Sequence, residues 1–346
     1  MAAYISFQPS DFFTTKLYTG NASTQVISSI GFNPDFTWIK ERDGTNDHKL
    51  FDRVRGNDKY IESNTNDTEA TESGAFAFGT DQFTLGNWTP TNGSGNLTAS
   101  WNWGAGTTSG KPTTDETLTP TAYSYNAAAG TSIIAYTGTG STGLINHGLG
   151  VKPELIIVKP LSASDYWLVY QEQATGVGYV LQLSNDSAKS GSSWDCNTTA
   201  NTFQVNGTSN TGTSQSGVTY IAYAFANIKG YSRSGSYVGN GNANGSFIHT
   251  GFRPAYVMVK RWDLADNWFI SDNQRPVYAD GNPRTDWLYA DETNTEVEPY
   301  NIDYLSNGFK FRTDHANWNG SGDEYIYAAF AHSPLPNSEG VANNAR

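Results

Sequence analysis

Clustered carboxylates are the side chains of this 346-residue chain whose spacing could support chemistry. The candidate pairs are Asp263 with Asp266, Asp286 with Asp291, and Asp323 with Glu324. Cleavage of a glycosidic bond needs an acid and a second carboxylate about 5–9.5 Å apart, so such pairs raise the hypothesis of a polysaccharide-degrading enzyme. None of these pairs recurs in the internal repeats described below. We therefore predict solvated loop carboxylates, no catalytic residues and no enzyme activity.

Motifs of other catalytic and metal sites are also missing from the sequence. It contains no Gly-x-Ser-x-Gly, His-Glu-x-x-His, Walker or dinucleotide-binding glycine pattern. The five histidines are scattered, and for His147 and His249 we expect hydrogen bonds that close turns. The single Cys196 cannot form an intramolecular disulfide or a four-cysteine zinc site. We predict no metal and no cofactor, with calcium as a weak alternative because the loops are rich in oxygen ligands.

Aromatic residues among short polar side chains are the most suggestive chemical feature. Sugar-binding surfaces combine an aromatic face with polar side chains that bond the hydroxyls. Trp262, Trp287, Tyr289 and Trp318 lie among Asn, Asp and Thr, and the three tryptophans have no counterpart elsewhere in the chain. We predict that these residues bind a ligand such as a carbohydrate. A subunit interface, where Trp and Tyr are also enriched, is the alternative.

Three segments of the chain repeat the same order of features. They read YTGNASTQVISSIGFNPDFTWIK from Tyr18, YTGTGSTGLINHGLGVKPELIIVK from Tyr136 and YVGNGNANGSFIHTGFRPAYVMVK from Tyr237. In each segment a proline is followed six residues later by a lysine. Copies two and three also place a tryptophan eight residues after the lysine, whereas copy one has His48 there. The predicted structural anchors are Pro34, Lys40, Pro153, Lys159, Trp167, Pro254, Lys260 and Trp268.

The pattern inside each copy indicates strands and turns. The β-rich runs at 155–159 and 255–260 follow a proline, which is tolerated at the start of a strand. A second strand is expected at 167–170 and at 268–270, antiparallel to the first. The lysine that ends each first run suggests a strand emerging into water. With Gly, Asn and Ser between short strands, we predict an all-β protein of three tandem homologous antiparallel β-sandwich domains, jelly-roll-like, each with its own core.

The repeats also predict the domain boundaries. The repeat spacing of about 100 residues suits whole domains rather than solenoid units. We predict a lead-in at 1–11, sandwiches at 12–106, 132–230 and 231–334, a linker at 107–131, and a C-terminal arm at 335–346 that orders on a partner surface.

Charge and hydropathy exclude several classes of protein. The formal net charge is −12 and no run of Lys or Arg occurs, which argues against nucleic acid as a partner. No apolar run approaches the roughly 20 residues of a membrane-spanning helix, so we expect no membrane insertion. The N-terminus MAAYISFQPS lacks a basic region followed by an apolar one, so we expect no secretion signal.

Several segments resemble a repeat found in structural proteins of tailed bacteriophages, particularly marine ones. They are GFNPDFTWIKERD, HGLGVKPELIIVK, GFRPAYVMVKRWD, NIDYLSNGFKFR and EYIYAAFA, and the opening FQPSDFFTTKLYTGNAST is similar to the start of such proteins. The resemblance covers about residues 8–334. It implies a tail-fibre-like virion protein with concanavalin- or laminin-G-like β-sandwich repeats, and it supplies no catalytic residues.

These features lead to two functional hypotheses besides the enzyme. The first is a non-enzymatic tail-associated adhesin, made in the host bacterial cytoplasm and carried on the virion, that contacts host-surface glycans or proteins. The second is a capsid decoration or head-fibre protein with a purely structural role. Either would have other virion proteins as partners. Because fibres and decorations are symmetric assemblies, we also expect a homo-oligomer, and three similar domains could instead mimic a trimer within one chain.

Overall fold

Strands follow the repeated prolines as the sequence predicts. The computed structural model describes residues 7–176, 178–192, 194–207, 212–275, 282–297 and 301–333. The predicted C-terminal arm at 335–346 and residues 1–6 of the lead-in lie outside these residues. Pro34, Pro153 and Pro254 are buried and stand at, or two residues before, the first residue of a strand. The described residues are almost entirely strand and turn, which confirms the all-β prediction.

Copy one contains a large sheet, a small sheet and a short hairpin. A 3-10 turn at Pro9–Asp11 precedes the strands, and a one-turn helix, α1, spans Thr89–Asn92. The strands are β1 (Phe13–Thr19), β2 (Gln25–Ser28), β3 (Phe36–Glu41), β4 (Lys49–Asp52), β5 (Lys59–Tyr60), β6 (Ala70–Thr71), β7 (Phe76–Phe78), β8 (Gln82–Leu85) and β9 (Leu97–Trp103). The large sheet has the order β1-β9-β3-β4, the small sheet has the order β2-β8-β7, and β5 pairs with β6.

Copy two extends the same plan with extra strands at both edges of its large sheet. The strands are β10 (Ala122–Asn126), β11 (Thr131–Thr137), β12 (Gly143–Asn146), β13 (Pro153–Pro160), β14 (Leu168–Gln171), β15 (Tyr179–Gln182), β16 (Ser190–Gly191), β17 (Thr202–Val205) and β18 (Thr219–Ala226). The large sheet has the order β10-β11-β18-β13-β14-β15-β16, and β12 pairs with β17 in the small sheet. The predicted linker at 107–131 therefore contains a strand, β10, that belongs to copy two.

Copy three returns to the arrangement of copy one. Its strands are β19 (Ser232–Val238), β20 (Phe247–His249), β21 (Tyr256–Arg261), β22 (Trp268–Asp272), β23 (Leu288–Tyr289), β24 (Ile302–Leu305), β25 (Gly308–Phe311) and β26 (Glu324–Phe330). The one-turn helix α2 spans Ala316–Asn319. The large sheet has the order β19-β26-β21-β22-β23 and the small sheet has the order β20-β25-β24.

Equivalent strands pair in equivalent register in the three copies. Four equivalent strands of each copy lie side by side and antiparallel, as β1-β9-β3-β4, β11-β18-β13-β14 and β19-β26-β21-β22. Within these sheets Lys40 faces Ala99, Lys159 faces Ile221, and Lys260 faces Ile326. The predicted antiparallel pairs of strands after each proline are confirmed for copies two and three, as β13 with β14 and β21 with β22.

Each large sheet is buried on both faces, so its third strand alternates between two apolar clusters. In β13, Ile156 and Val158 pack against the small sheet of copy two, whereas Leu155 and Ile157 face the other copies. Side chains on opposite sides of a strand alternate with a period of two, which explains why these runs are apolar throughout.

The second cluster is shared by all three copies and forms the centre of the molecule. Ring centroids lie 4.6 Å apart for Phe36 and Tyr223, 5.5 Å apart for Trp103 and Phe330, and 5.4 Å apart for Phe225 and Phe330. These contacts join copies one with two, one with three, and two with three. The expectation of a separate core for each copy therefore needs correction: each copy has a private cluster, and the inner faces of the three large sheets build a common one.

Candidate functional site: the junctions between copies

The repeated lysines are buried, and this corrects the prediction that they mark strands emerging into water. Lys40, Lys159 and Lys260 have no exposed surface. An unpaired ammonium group inside a protein is strongly destabilising, so each must be surrounded by acceptors. The acceptors are backbone carbonyls, and some of them belong to a neighbouring copy.

Each lysine joins its own copy to a neighbouring one. The Nζ atom of Lys159 donates to the carbonyl of Asp165 in copy two at 2.8 Å and to that of Asn66 in copy one at 3.0 Å. Lys260 donates to Asp266 in its own copy and to Asp186 in copy two, the latter at 2.8 Å.

Lys40 makes the equivalent contact between copies one and three. Its Nζ atom donates to the carbonyls of Glu41 at 2.8 Å and Gly44 at 3.1 Å, both in copy one, and to that of Thr293 in copy three at 3.0 Å. Copy one therefore binds copy three, copy three binds copy two, and copy two binds copy one.

The residue eight positions after each lysine strengthens the same junction. The indole Nε1 of Trp167 donates to the carbonyl of Glu62 at 2.9 Å, and that of Trp268 donates to the carbonyl of Gln182 at 2.7 Å. In copy one, Trp38 Nε1 donates to His48 Nδ1 at 2.8 Å. This bond leaves the proton of the neutral ring on Nε2, which contacts the carbonyl of Tyr289 at 2.7 Å. His48 thus replaces the tryptophan of the other copies.

Backbone hydrogen bonds repeat at the three junctions as well. They run from Glu69 N to Leu161 O at 2.8 Å, from Lys189 N to Trp262 O at 3.0 Å, and from Glu296 N to Arg42 O at 2.7 Å. The last of these is reinforced by an ion pair of 2.6 Å between the side chains of Arg42 and Glu296. Three equivalent junctions close a ring. The three similar copies therefore mimic a trimer within one chain, which is one of the arrangements expected from the sequence.

Buried carboxylates add polar contacts to two of the junctions. The hydroxyl of Tyr223 in copy two donates to Asp52 Oδ2 in copy one at 2.7 Å, and Trp101 Nε1 in copy one donates to Asp272 Oδ2 in copy three at 2.9 Å. Arg55 and Arg275 pair with the two carboxylates. Copy two has Gln171 in place of the aspartate, and the position on β26 that corresponds to Trp101 and Tyr223 is Ala328, whose side chain has no donor.

Burial dominates the electrostatics of the junctions. It lowers the pKa of Lys40, Lys159 and Lys260 to about 8 each, while nearby carboxylates such as Glu41, Asp165 and Asp291 act in the opposite direction. Burial also holds the pKa of His48 well below its ordinary value, and the charge of Lys40 adds to this shift. The groups are placed to hold copies together, and they are closed to solvent.

The four predicted ligand-binding aromatics fall into two groups, and two of them need correction. Trp287 and Trp318 are completely buried in the cluster of copy three, with ring centroids 5.5 Å apart. Buried indoles cannot stack on a sugar. Tyr289 and Trp262 are partly buried at junctions, where their carbonyls accept hydrogen bonds, and the Nζ atom of Lys189 lies 3.9 Å from the ring centroid of Trp262.

Two buried asparagines, Asn92 and Asn319, hold the loops of copies one and three in place. The amide of Asn92 accepts from Asn21 N at 2.9 Å and donates to the carbonyls of Ser23 and Gly86 at 2.6 and 2.8 Å. Asn319 repeats these contacts in copy three and is also fully buried. The sequence carries a signal that could have identified this pair, since both residues begin an Asn-Gly-Ser-Gly segment.

The histidines and the cysteine behave as structural residues. Leu149 N donates to His147 Nδ1 at 3.2 Å, which confirms a turn-closing hydrogen bond there. Cys196 is buried and its pKa is raised well above the ordinary value by burial. In the part of the chain that the structure describes, no group of three or more His, Cys, Asp or Glu side chains is arranged to hold a metal ion. No helix among those residues is long and apolar enough to cross a membrane.

Comparison with known proteins agrees with the extent of the ring. A family model described as a domain of unknown function, DUF7483, matches residues 8–334. One match spans all three copies, so the unit that the family model defines is the complete ring. A search of the curated proteins finds no match.

Proposed function

We propose that this chain, which belongs to the DUF7483 family, is a non-enzymatic structural protein of a bacteriophage virion. The observation that supports the proposal is the closed ring of three copies, in which buried lysines, indoles and amides are used to bind one copy to another. A scaffold of this kind suits a particle component that must keep its shape while its outer loops contact other molecules. The resemblance of its repeated segments to phage structural proteins gives the setting.

We further propose that the three copies are homologous antiparallel β-sandwiches of the jelly-roll type, within 12–106, 132–230 and 231–334. The small sheet of each copy packs against the outer face of its large sheet and encloses a private apolar cluster. This two-layer arrangement supports the proposal.

A tail-associated adhesin is the first of two proposed locations. Three similar copies around one centre would present equivalent surfaces in one direction, and several weak contacts with host glycans or proteins would then add in avidity. The direct test is retention of the purified protein by host-cell envelopes. Retention that excess soluble envelope glycan abolishes is expected, and a protein recovered entirely in the supernatant would contradict adhesion.

A capsid decoration or head-fibre protein is the second proposed location, and the burial of predicted ligand contacts favours it. Trp287 and Trp318, two of the four aromatic residues predicted to bind a ligand, are completely buried inside the protein. Gold-labelled antibodies on intact particles separate the two locations. Label at the tail tip supports the adhesin, whereas a regular pattern over the head supports the decoration.

Enzyme activity is tested separately. Host polysaccharide incubated with the purified protein should keep its size distribution, as judged by gel filtration. A decrease in chain length that tracks with the protein through purification would contradict the proposal.

A further inference from the structure

The strand β12 of copy two is covered along its outer edge by residues of the preceding connection. Leu144 O accepts from Thr117 N at 2.9 Å and from Leu118 N at 3.0 Å, and Leu144 N donates to Thr117 Oγ1 at 2.8 Å. Further along, Asn146 Nδ2 donates to the carbonyl of Thr114 at 2.9 Å. The segment 114–118 therefore runs in the opposite direction to β12 and covers its outer edge, through turns and bends rather than as a strand.

The equivalent strands of the other copies carry no such cover among the described residues. Strand β2 ends the small sheet of copy one, and β20 ends that of copy three. The uncovered strands are also more exposed: Val26 on β2 is 50% exposed and Phe247 on β20 is 45% exposed, whereas Leu144 is partly buried. An exposed strand edge offers backbone donors and acceptors that can pair with another chain.

Copy three has the more suitable of the two open edges. Ser246 is the equivalent of Gln25 in copy one, and each side chain donates to the carbonyl that ends the preceding strand. Ser246 donates to the carbonyl of Val238, and Gln25 donates to that of Thr19. Val238 is itself 55% exposed, so it and Phe247 form an apolar patch beside the edge. Copy one has Thr19 in place of Val238.

We propose that the outer edge of β20 binds a segment of a partner protein that runs in the opposite direction and covers this edge as 114–118 covers β12. The internal cover of β12 defines the chemistry of that segment. A hydroxyl side chain lies opposite Phe247, as Thr117 lies opposite Leu144, and the next residue is small and apolar. This second residue must be smaller than leucine. In copy two, Leu118 fits only because residue 143 is glycine: a β-carbon there would lie 2.9 Å from the β-carbon of Leu118. Copy three has Ser246 at the position of Gly143, and serine carries that β-carbon. Backbone pairing supplies the affinity, and the Phe247 patch supplies the selectivity.

This binding site is a property beyond the proposed virion role, because the proposal depends only on the open edge of β20 in copy three. The test uses the full chain and a synthetic peptide of residues 111–120 carrying Leu118→Ala. Amide hydrogen exchange of residues 246–249, followed by mass spectrometry at increasing peptide concentration, should show saturable protection. Phe247→Pro removes the donor N–H of the edge, and proline is tolerated on an edge strand. We expect peptide binding to weaken about tenfold.

Matched variants decide the interpretation. Val26→Pro makes the same change on β2 and should leave peptide binding unaltered, while Phe247→Ser keeps the N–H and should weaken binding by removal of the apolar contact. Absence of saturable protection, or equal binding by Phe247→Pro, would overturn the proposal. If the protein self-associates and Phe247→Pro abolishes that self-association, then a second copy of the chain occupies the edge and the proposal is overturned. If the peptide binds only to a shortened chain that ends at Ser333, then residues 334–346 occupy the edge in the full chain and the proposal is overturned.

Discussion

The ammonium group of Lys40 lies 3.0 Å from the backbone carbonyl of Thr293, which is 253 residues further along the chain. This contact closes the ring, because the junctions at Lys159 and Lys260 link copies that already follow one another in sequence. The contact also places an ammonium group, which is normally exposed, inside the protein. Removing this group should therefore change the free energy of unfolding.

Lys40→Met should lower the free energy of unfolding by about 1–3 kcal/mol, because the carbonyls of Glu41, Gly44 and Thr293, which are buried or partly buried, lose their donor. Denaturation by guanidinium chloride measures the change. Lys229→Met is the matched control, since Lys229 is exposed and should respond by no more than about 0.5 kcal/mol. Equal effects of the two substitutions would contradict the assigned role of Lys40.

The three lysines should also make stability depend on pH. Their pKa in the folded protein is about 8, below the ordinary value of 10.5, so the stability they contribute is present above pH 10.5 and is lost as the pH falls through 8. Between pH 7 and pH 9 the free energy of unfolding should therefore rise by about 1 kcal/mol for each lysine.

Urea denaturation at a series of pH values measures this slope. Lys40→Met should remove about a third of the rise, and the same holds for Lys159→Met. The upper limit stays at pH 9 because buried tyrosines such as Tyr223, whose pKa burial raises well above 10, reverse the trend once tyrosines of the unfolded chain ionise. A stability that is flat or falls from pH 7 to pH 9 would contradict the burial of charged lysines.

The pair Trp38 and His48 should behave as one unit. In copies two and three the residue at the position of Trp38 is smaller, Ile157 or Met258, and the residue at the position of His48 is a tryptophan, Trp167 or Trp268. His48→Trp alone should overpack the junction and cost about 1–3 kcal/mol. The double variant Trp38→Met/His48→Trp should recover most of that loss, and a double-mutant cycle gives the coupling. Strictly additive effects would show that the pair is not equivalent to those of the other copies.

The Tyr223 hydroxyl links copies one and two through a buried carboxylate. Tyr223→Phe should reduce the free energy of unfolding by about 1.5–3 kcal/mol, since a hydrogen bond to the carboxylate that pairs with Arg55 is lost. Tyr166→Phe, at a side chain that is 36% exposed, is the control and should have little effect. An equally small effect at Tyr223 would argue against a tight junction between these copies.

Sequence patterns were sufficient to predict the local structure and not the way the copies meet. The proline, the apolar run and the lysine at a fixed offset correctly indicated equivalent antiparallel strands, because these features depend on nearby residues. The burial of Lys159 could not be predicted in the same way, since its acceptor at Asn66 lies 93 residues away. A lysine at the end of an apolar run has the same local pattern whether it meets water or a ring of carbonyls.

The aromatic residues illustrate a second limit. Trp287 and Trp318 are absent from the other copies and lie in polar loops, which suggested exposed ligand contacts. They are buried because copy three fills its private cluster with indoles, where they pack on Phe269. By contrast, the recurrence of tryptophan at 167 and 268 correctly indicated anchors, although the bonds they make cross to another copy.

Closure of the ring is tested most directly by a disulfide across the junction between copies one and three. Glu296 N donates to Arg42 O at 2.7 Å, so the two residues are neighbours within the separation of about 4–7 Å between Cα atoms that a disulfide spans. Under mild oxidation at low protein concentration, Arg42→Cys/Glu296→Cys should form an intramolecular disulfide in the folded monomer, shown by faster migration on a non-reducing gel. Arg42→Cys/Lys189→Cys, which pairs unrelated junctions, should not, and the native Cys196 is buried. A 42/296 pair that stays reduced, or forms only disulfide-linked dimers, would contradict the closed ring.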